Sequence, residues 1–136
     1  MISVETKLRV RYGETDQMGY VYYGNYALYY EVGRVELLRD LGTSYKDLEE
    51  QGIMLPVMDL SVKYLKPAFY DDELTICTQV RTMPRARITF NYQTINIDGI
   101  VLNEGETTLV FVDKVTMRPV RIPDNLQKTF SPFFKD

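Results

Sequence analysis

The chain has no histidine, no tryptophan and only one cysteine among its 136 residues. Without histidine there is no Ser-His-Asp or Cys-His arrangement and no metal site built on imidazole. The lone Cys77 excludes an intrachain disulfide and a cysteine metal centre. With no imidazole to activate it, Cys77 reads as a small half-buried strand residue. Glycine-rich phosphate loops are missing too. No apolar run reaches the about 18 residues that a membrane helix needs. The opening MISVETKLRVRY alternates polar and apolar residues and is not a signal peptide, which suggests a cytoplasmic protein. A net charge of −3 argues against nonspecific nucleic-acid binding. Carboxylates, hydroxyls, backbone dipoles and bound water remain as the available chemistry.

What is present is periodic. The length suits one domain over residues 1–136 with a single core. Val4, Leu8, Val10 and Tyr12 alternate with charged residues and predict a half-buried strand over 4–12. A loop over 13–23 follows. Tyr26, Tyr30, Gly33, Leu37 and Leu41 then recur at helical spacing, predicting a helix over 24–42 that ends at Gly42. Thr43 or Ser44 caps a short second helix, YKDLEEQG. Alternation returns over 56–67, 73–83, 86–97 and 101–113, predicting four strands in a meander, with Asp98-Gly99 as a type I′ turn. A tail with Pro119 and Pro123 closes the chain with about one helical turn. Helices and strands are segregated, so the class is α+β with an antiparallel sheet. Strands this long would be hazardous as free edges, so a dimer joined edge to edge is expected.

The densest chemistry lies in YGETDQMGYVYYGNYALYYEVGR, residues 12–34, which places Asp16 ahead of the helix among seven tyrosines. By turn composition alone, ETDQMG makes Asp16 a turn or cap residue. Glu31, a second carboxylate on the helix, reads as an ion pair with Arg34 at i+3. Asp71-Asp72-Glu73 reads as a solvated turn. Arg85 and Arg87 have the planar, bidentate chemistry that suits the phosphates of coenzyme A, with Lys63 and Lys66 adding charge; the bland alternative is an exposed strand end.

The order strand, ETDQMGYVYYGNY loop, helix and four strands resembles the hotdog fold. In that fold a five-stranded curved antiparallel sheet wraps one long helix. More narrowly, Asp16, Gly19, Val21, Tyr22-Tyr23 and Asn25-Tyr26, together with VKYLKPAFYDDELTI, NEGETTLVFVD and RPVRIP, are similar to the acyl-CoA thioesterases of the 4-hydroxybenzoyl-CoA thioesterase type, including the Tol-Pal-associated branch. Tyr20 and Tyr23 stand where many relatives carry histidine. The resemblance implies hydrolysis of an acyl-CoA, or of an acyl-carrier-protein thioester, without metal or cofactor. Asp16 would be nucleophile or general base, and the backbone amides of Tyr23 and Gly24 would polarise the thioester carbonyl. From their place in the loop, the rings of Tyr20, Tyr22 and Tyr23 would wall an acyl pocket; Tyr26, at helical spacing with Tyr30, reads as core or dimer-interface packing before it reads as a substrate contact. The resemblance also implies a homodimer, or a dimer of dimers. Hotdog dehydratases and isomerases rely on a catalytic histidine, which this chain lacks. The alternative to hydrolysis is a non-catalytic dimer that binds or scaffolds acyl thioesters.

Overall fold

Alternation along five segments builds one antiparallel sheet. Its strands are β1 (Ile2–Arg9), β3 (Val57–Tyr64), β4 (Glu73–Val80), β5 (Arg87–Ile95) and β6 (Val101–Val110). A two-residue ladder pairs β2 (Ile53–Met54) with β7 (Val112–Asp113). The helices are α1 (Tyr26–Asp40), α2 (Tyr45–Glu50) and α3 (Asp124–Phe130). The structure is a computed structural model and describes residues 1–135.

The spatial order is β1-β4-β5-β6-β3, which corrects the expected meander. Only β4, β5 and β6 follow one another as neighbours. β3 crosses to the far edge and pairs with β6, Tyr64 against Asn103 and Val62 against Gly105. The cause lies in the eight residues that follow β3, a connection too long and too bent for a hairpin. Pro67 interrupts it, and Asp71 takes a left-handed φ of 68°. Its backbone bonds to the chain after β1 instead, with Val10 N–H donating to Asp72 and Asp71 N–H to Val10.

The sheet curls around α1, whose packed face carries Tyr30, Gly33 and Leu37. Leu74, Ile76, Val80, Ile88 and Phe90 close the core from the sheet side. Two glycines mark where helix and sheet touch. A Cβ on Gly33 would meet Thr78 and Ile76, and one on Gly105 would enter the Tyr30 ring. At fifteen residues α1 spans about 22 Å, shorter than expected because Tyr23–Asn25 form a 3₁₀ turn ahead of it.

Local signals held at most chain ends. Gly42 follows α1 at φ 83°, and Ser44 caps α2 by accepting the Asp47 N–H at 3.1 Å. The hairpin at Asp98-Gly99 differs from expectation. Asp98 stays out of the left-handed region; Gly99 alone enters it, at φ 81°. Asn96 explains this, since its side chain accepts the N–H groups of Asp98 and Ile100, both at 3.0 Å, and organises a longer turn. The Glu31–Arg34 pair is also corrected. Arg34 turns inward and donates from Nε to the Tyr45 hydroxyl at 2.9 Å, while Glu31 stays exposed. The tail is more helical than expected, with α3 followed by a 3₁₀ turn at Ser131–Phe134.

Candidate active site

The loop between β1 and α1 folds back on itself. Thr15 and Val21 form an isolated bridge, and Asp16 N–H donates to the Tyr20 carbonyl at 2.8 Å. Gly19 closes the turn at φ 81°, a conformation that a side chain would resist. Asp16 Oδ1 accepts the N–H groups of Met18 at 2.9 Å and Tyr20 at 3.3 Å. This is an Asx turn, as the composition of ETDQMG suggests. The turn uses one carboxylate oxygen only. Oδ2 has no hydrogen-bond partner among the described residues.

The other half of the site is the first turn before α1. Asn25 N–H closes on the Tyr22 carbonyl at 2.9 Å, and Tyr26 N–H closes on Tyr23. The amides of Tyr23 and Gly24 come before the first closed turn and donate to no carbonyl among the described residues. Such free donors carry the positive end of a helix. A Cβ on Gly24 would stand 2.9 Å from the Tyr22 ring, so this position suits a residue without a side chain.

A cavity of about 280 Å³ joins the two halves, and Asp16, Tyr20, Tyr23, Tyr26, Tyr64 and Lys66 line it. Its walls are aromatic. Tyr26 and Tyr64 have ring centroids 5.8 Å apart, and Tyr23 meets Tyr64 edge-on at 6.3 Å. Tyr20 packs edge-on against Phe69 at 5.4 Å. Burial pushes the Tyr26 phenol up to about 12, so it stays neutral at the cavity base. Burial, then the neighbouring Tyr23, also raises Tyr64.

The fold therefore brings together Asp16, Tyr23, Tyr20 and Tyr26, with Gly24 adjacent in the same turn. It does not bring Arg85 or Arg87 to them within one chain. Arg87 pairs with Val110 at one end of the β5–β6 ladder, whereas the cavity lies beside Asn103 at the other, roughly 24 Å along the strand. Lys66 reaches the cavity, but Lys63 points to the opposite face of the sheet, beside Glu104. Sequence reasoning missed Tyr64 as a wall. Its alternation with Leu60 and Val62 suggested an inward face, whereas Tyr64 is exposed and meets the rings of Tyr23 and Tyr26.

Comparison with known proteins follows this geometry. A profile of the thioesterase-like superfamily matches residues 10–130. The chain is 33% identical over 123 residues to the acyl-CoA thioester hydrolase YbgC of Escherichia coli, covering 90% of this chain and 92% of that one. The acyl-CoA thioesterase YbgC of Haemophilus influenzae is also 33% identical, over 124 residues and 90% of each chain. Among solved structures, a DHNA-CoA thioesterase from Staphylococcus aureus superposes with a TM-score of 0.93 at 37% identity, covering 98% of this chain and 91% of that one. These relatives decide between hydrolysis and mere binding. The chain belongs to the thioesterase-like superfamily and is a hotdog-fold acyl-CoA thioesterase.

Proposed function

We propose that Asp16 performs the hydrolysis and that the amides of Tyr23 and Gly24 polarise the thioester carbonyl. The observation that carries this reading is the free Asp16 Oδ2 in the cavity that Tyr23 also lines. A thioester carbonyl set against those amides gains a preorganised donor, worth about 3–4 kcal/mol in a dry site. Asp16 then either attacks the carbonyl carbon directly or draws the proton from a water that does. Both routes end with a free acid and a thiol. On the direct route the thiolate leaves and water then hydrolyses the Asp16–acyl anhydride; on the other, the proton that Asp16 takes from water passes to the departing thiolate.

The tyrosine walls favour a flat aromatic acyl group, whose faces and edges suit ring-lined space. The S. aureus neighbour, described as acting on DHNA-CoA, supports the same preference. Coenzyme A phosphates would meet Arg85 and Arg87 of a second copy, because the same chain's pair lies at the wrong end of the sheet. The β3 edge supports such a homodimer. All of β3 except Val62 is exposed, and one of its edges is unpaired. A dimer of dimers would build on this pair. Light scattering at micromolar concentration should give at least a dimer, and a monomer there would remove the arginine assignment.

The main test is Asp16→Asn. Asparagine retains Oδ1, so the turn that Met18 and Tyr20 close survives. kcat should fall between about 10²- and 10⁴-fold on benzoyl-CoA, with the melting temperature unchanged. Wild-type turnover by that variant would refute the assignment. Running benzoyl-CoA beside hexanoyl-CoA and a benzoyl-carrier-protein thioester reads acyl preference and carrier in the same assay.

A further inference from the structure

Asp16 is fastened only within its own turn. Its backbone and Oδ1 bond to residues 18–20 and to nothing on α1. Those bonds shape the turn, but they do not set where the carboxylate stands relative to the helix amides. Something else must fix that separation, because a reacting carbonyl has to touch both.

Glu14 supplies the tie. Its carbonyl accepts the Tyr22 N–H at 2.9 Å and the Asn25 side-chain Nδ2 at 2.8 Å, so it grips the chain on both sides of Tyr23 and Gly24. Its carboxylate reaches further along the helix, where Oε1 accepts the Tyr29 hydroxyl at 3.0 Å. The same oxygen accepts the Arg11 N–H at 2.8 Å, and Oε2 stands 3.6 Å from the Arg11 guanidinium. Glu14 thus joins the end of the β1 segment, the 3₁₀ turn and the first turn of α1, two residues before Asp16. The Glu14 side chain is only 17% exposed, and Tyr29 is buried. Burial, then the Glu14 charge, raises the Tyr29 phenol, which therefore remains a neutral donor to the carboxylate.

We infer that Glu14 is a positioning residue for thioester hydrolysis, holding Asp16 at a working distance from the Tyr23 and Gly24 amides. The inference rests on the proposed role of Asp16. It concerns geometry, since Glu14 does not line the cavity and has no role in the chemical step. Misplacing a reacting group by about 1 Å can cost on the order of 10²-fold in rate. Loosening Glu14 should therefore lower kcat and leave KM alone, because the cavity walls that bind the acyl group remain.

Three variants and one double variant test it on benzoyl-CoA. Glu14→Ala keeps the main-chain bonds to Tyr22 and Asn25 and removes those of the carboxylate to Tyr29 and Arg11, so kcat should fall on the order of 10- to 10²-fold at unchanged KM. Tyr29→Phe, which removes one donor and keeps the ring, should lower kcat less, in the same pattern. Glu14→Gln retains an Oε1 that accepts both Arg11 N–H and Tyr29 O–H, and should restore most of the rate. In an Asp16→Asn background, Glu14→Ala should cause no further loss, since there is no working carboxylate left to position. Full kcat in Glu14→Ala overturns the inference, as does a loss confined to KM. A loss that adds in full to that of Asp16→Asn overturns it too. If Glu14→Ala does not fold, Tyr29→Phe decides, and wild-type kcat there has the same consequence. Wild-type turnover in Asp16→Asn alone removes the Asp16 reading and this inference with it; that outcome is distinguishable because it is read in a single variant with Glu14 intact.

Discussion

Tyrosines occupy two parts of this molecule and do different work in each. In the core, Tyr30 is fully buried, stacks on Tyr92 with centroids 4.3 Å apart, and donates to Asn103 Oδ1 at 2.5 Å. The Tyr92 hydroxyl meets Thr107 at 2.6 Å. Around the cavity, Tyr20, Tyr23 and Tyr64 are all exposed, and the Tyr64 hydroxyl donates to the Tyr23 carbonyl at 3.2 Å. Tyr26 stands between the two groups, its ring buried and its edge on the cavity. The side chain is the same; what differs is whether its hydroxyl is committed. Where it is, the tyrosine belongs to stability. Where it is not, the ring is a wall that a substrate can use.

The most severe way to break this comparison is from the core side. Gly105→Ala would drive a methyl into the Tyr30 ring. Overpacking of this kind costs about 1–3 kcal/mol. Displacing Tyr30 would also strip its buried bond to Asn103, with a further penalty of about 1–3 kcal/mol. The melting temperature should fall by several degrees, while kcat on benzoyl-CoA, measured well below the melt, stays near wild type. An unchanged melt would show that helix and sheet are not in close contact there. A collapse of kcat in the folded variant would show that the two tyrosine groups are not separable.

A milder test uses pH. Burial pushes the phenols of Tyr26 and Tyr45 up to about 12, against an ordinary value near 10 in an unfolded chain. From about pH 10 to about pH 12 the unfolded chain loses phenolic protons that the folded chain keeps. The folded state binds more protons, so stability is fully present below about pH 10 and declines as pH rises. Thermal melts should drop across that window, and the buried phenolates should become visible by ultraviolet absorbance only as the protein unfolds. A melting temperature that stays flat from about pH 9 to about pH 11 would contradict the neutral state of the buried Tyr26 and the half-buried Tyr45.

The uneven legibility of the sequence follows the same division. Period-two alternation marked all five long strands, and the 3.6-residue spacing of Tyr26, Tyr30, Gly33 and Leu37 marked the helix; outside β3 one face more buried than the other imposes the pattern, whereas β3 alternates in sequence while all of it but Val62 is exposed. Caps at Gly42 and Ser44 were readable because they depend on residues next to them in the chain. Strand order was not readable, because β3 obeys the same alternation whether it lies beside β4 or at the far edge. Arg34 was misjudged because helical spacing shows which residues share a face, and nothing local revealed that Tyr45 waits for its guanidinium. In the site, Asp16 was conspicuous by its motif. Glu14 was not, since its importance lies in contacts with Tyr22, Asn25 and Tyr29 that only folding creates.

The smallest expected effect sharpens the comparison from the cavity side. Tyr64→Phe removes the exposed hydroxyl that reaches the Tyr23 carbonyl and keeps the ring in the wall. A hydrogen bond half open to water contributes at most about 0.5–1 kcal/mol, so the melting temperature should barely move. That bond does, however, hold the carbonyl of the residue whose amide is proposed to polarise the thioester. If the ring alone serves the substrate, benzoyl-CoA should keep its KM and kcat. If the hydroxyl helps to set the Tyr23 peptide, kcat should fall a few-fold with KM unchanged, and Tyr64 would move from the wall to the group that positions the amides. Tyr30→Phe is the matched control. It should do the reverse, lowering stability by about 0.5–1.5 kcal/mol because the buried Asn103 Oδ1 loses one of its two donors and keeps only Thr94 Oγ1, and leaving kcat alone. Equal effects of the two substitutions on the melt would mean that burial of the hydroxyl does not distinguish the two groups of tyrosines.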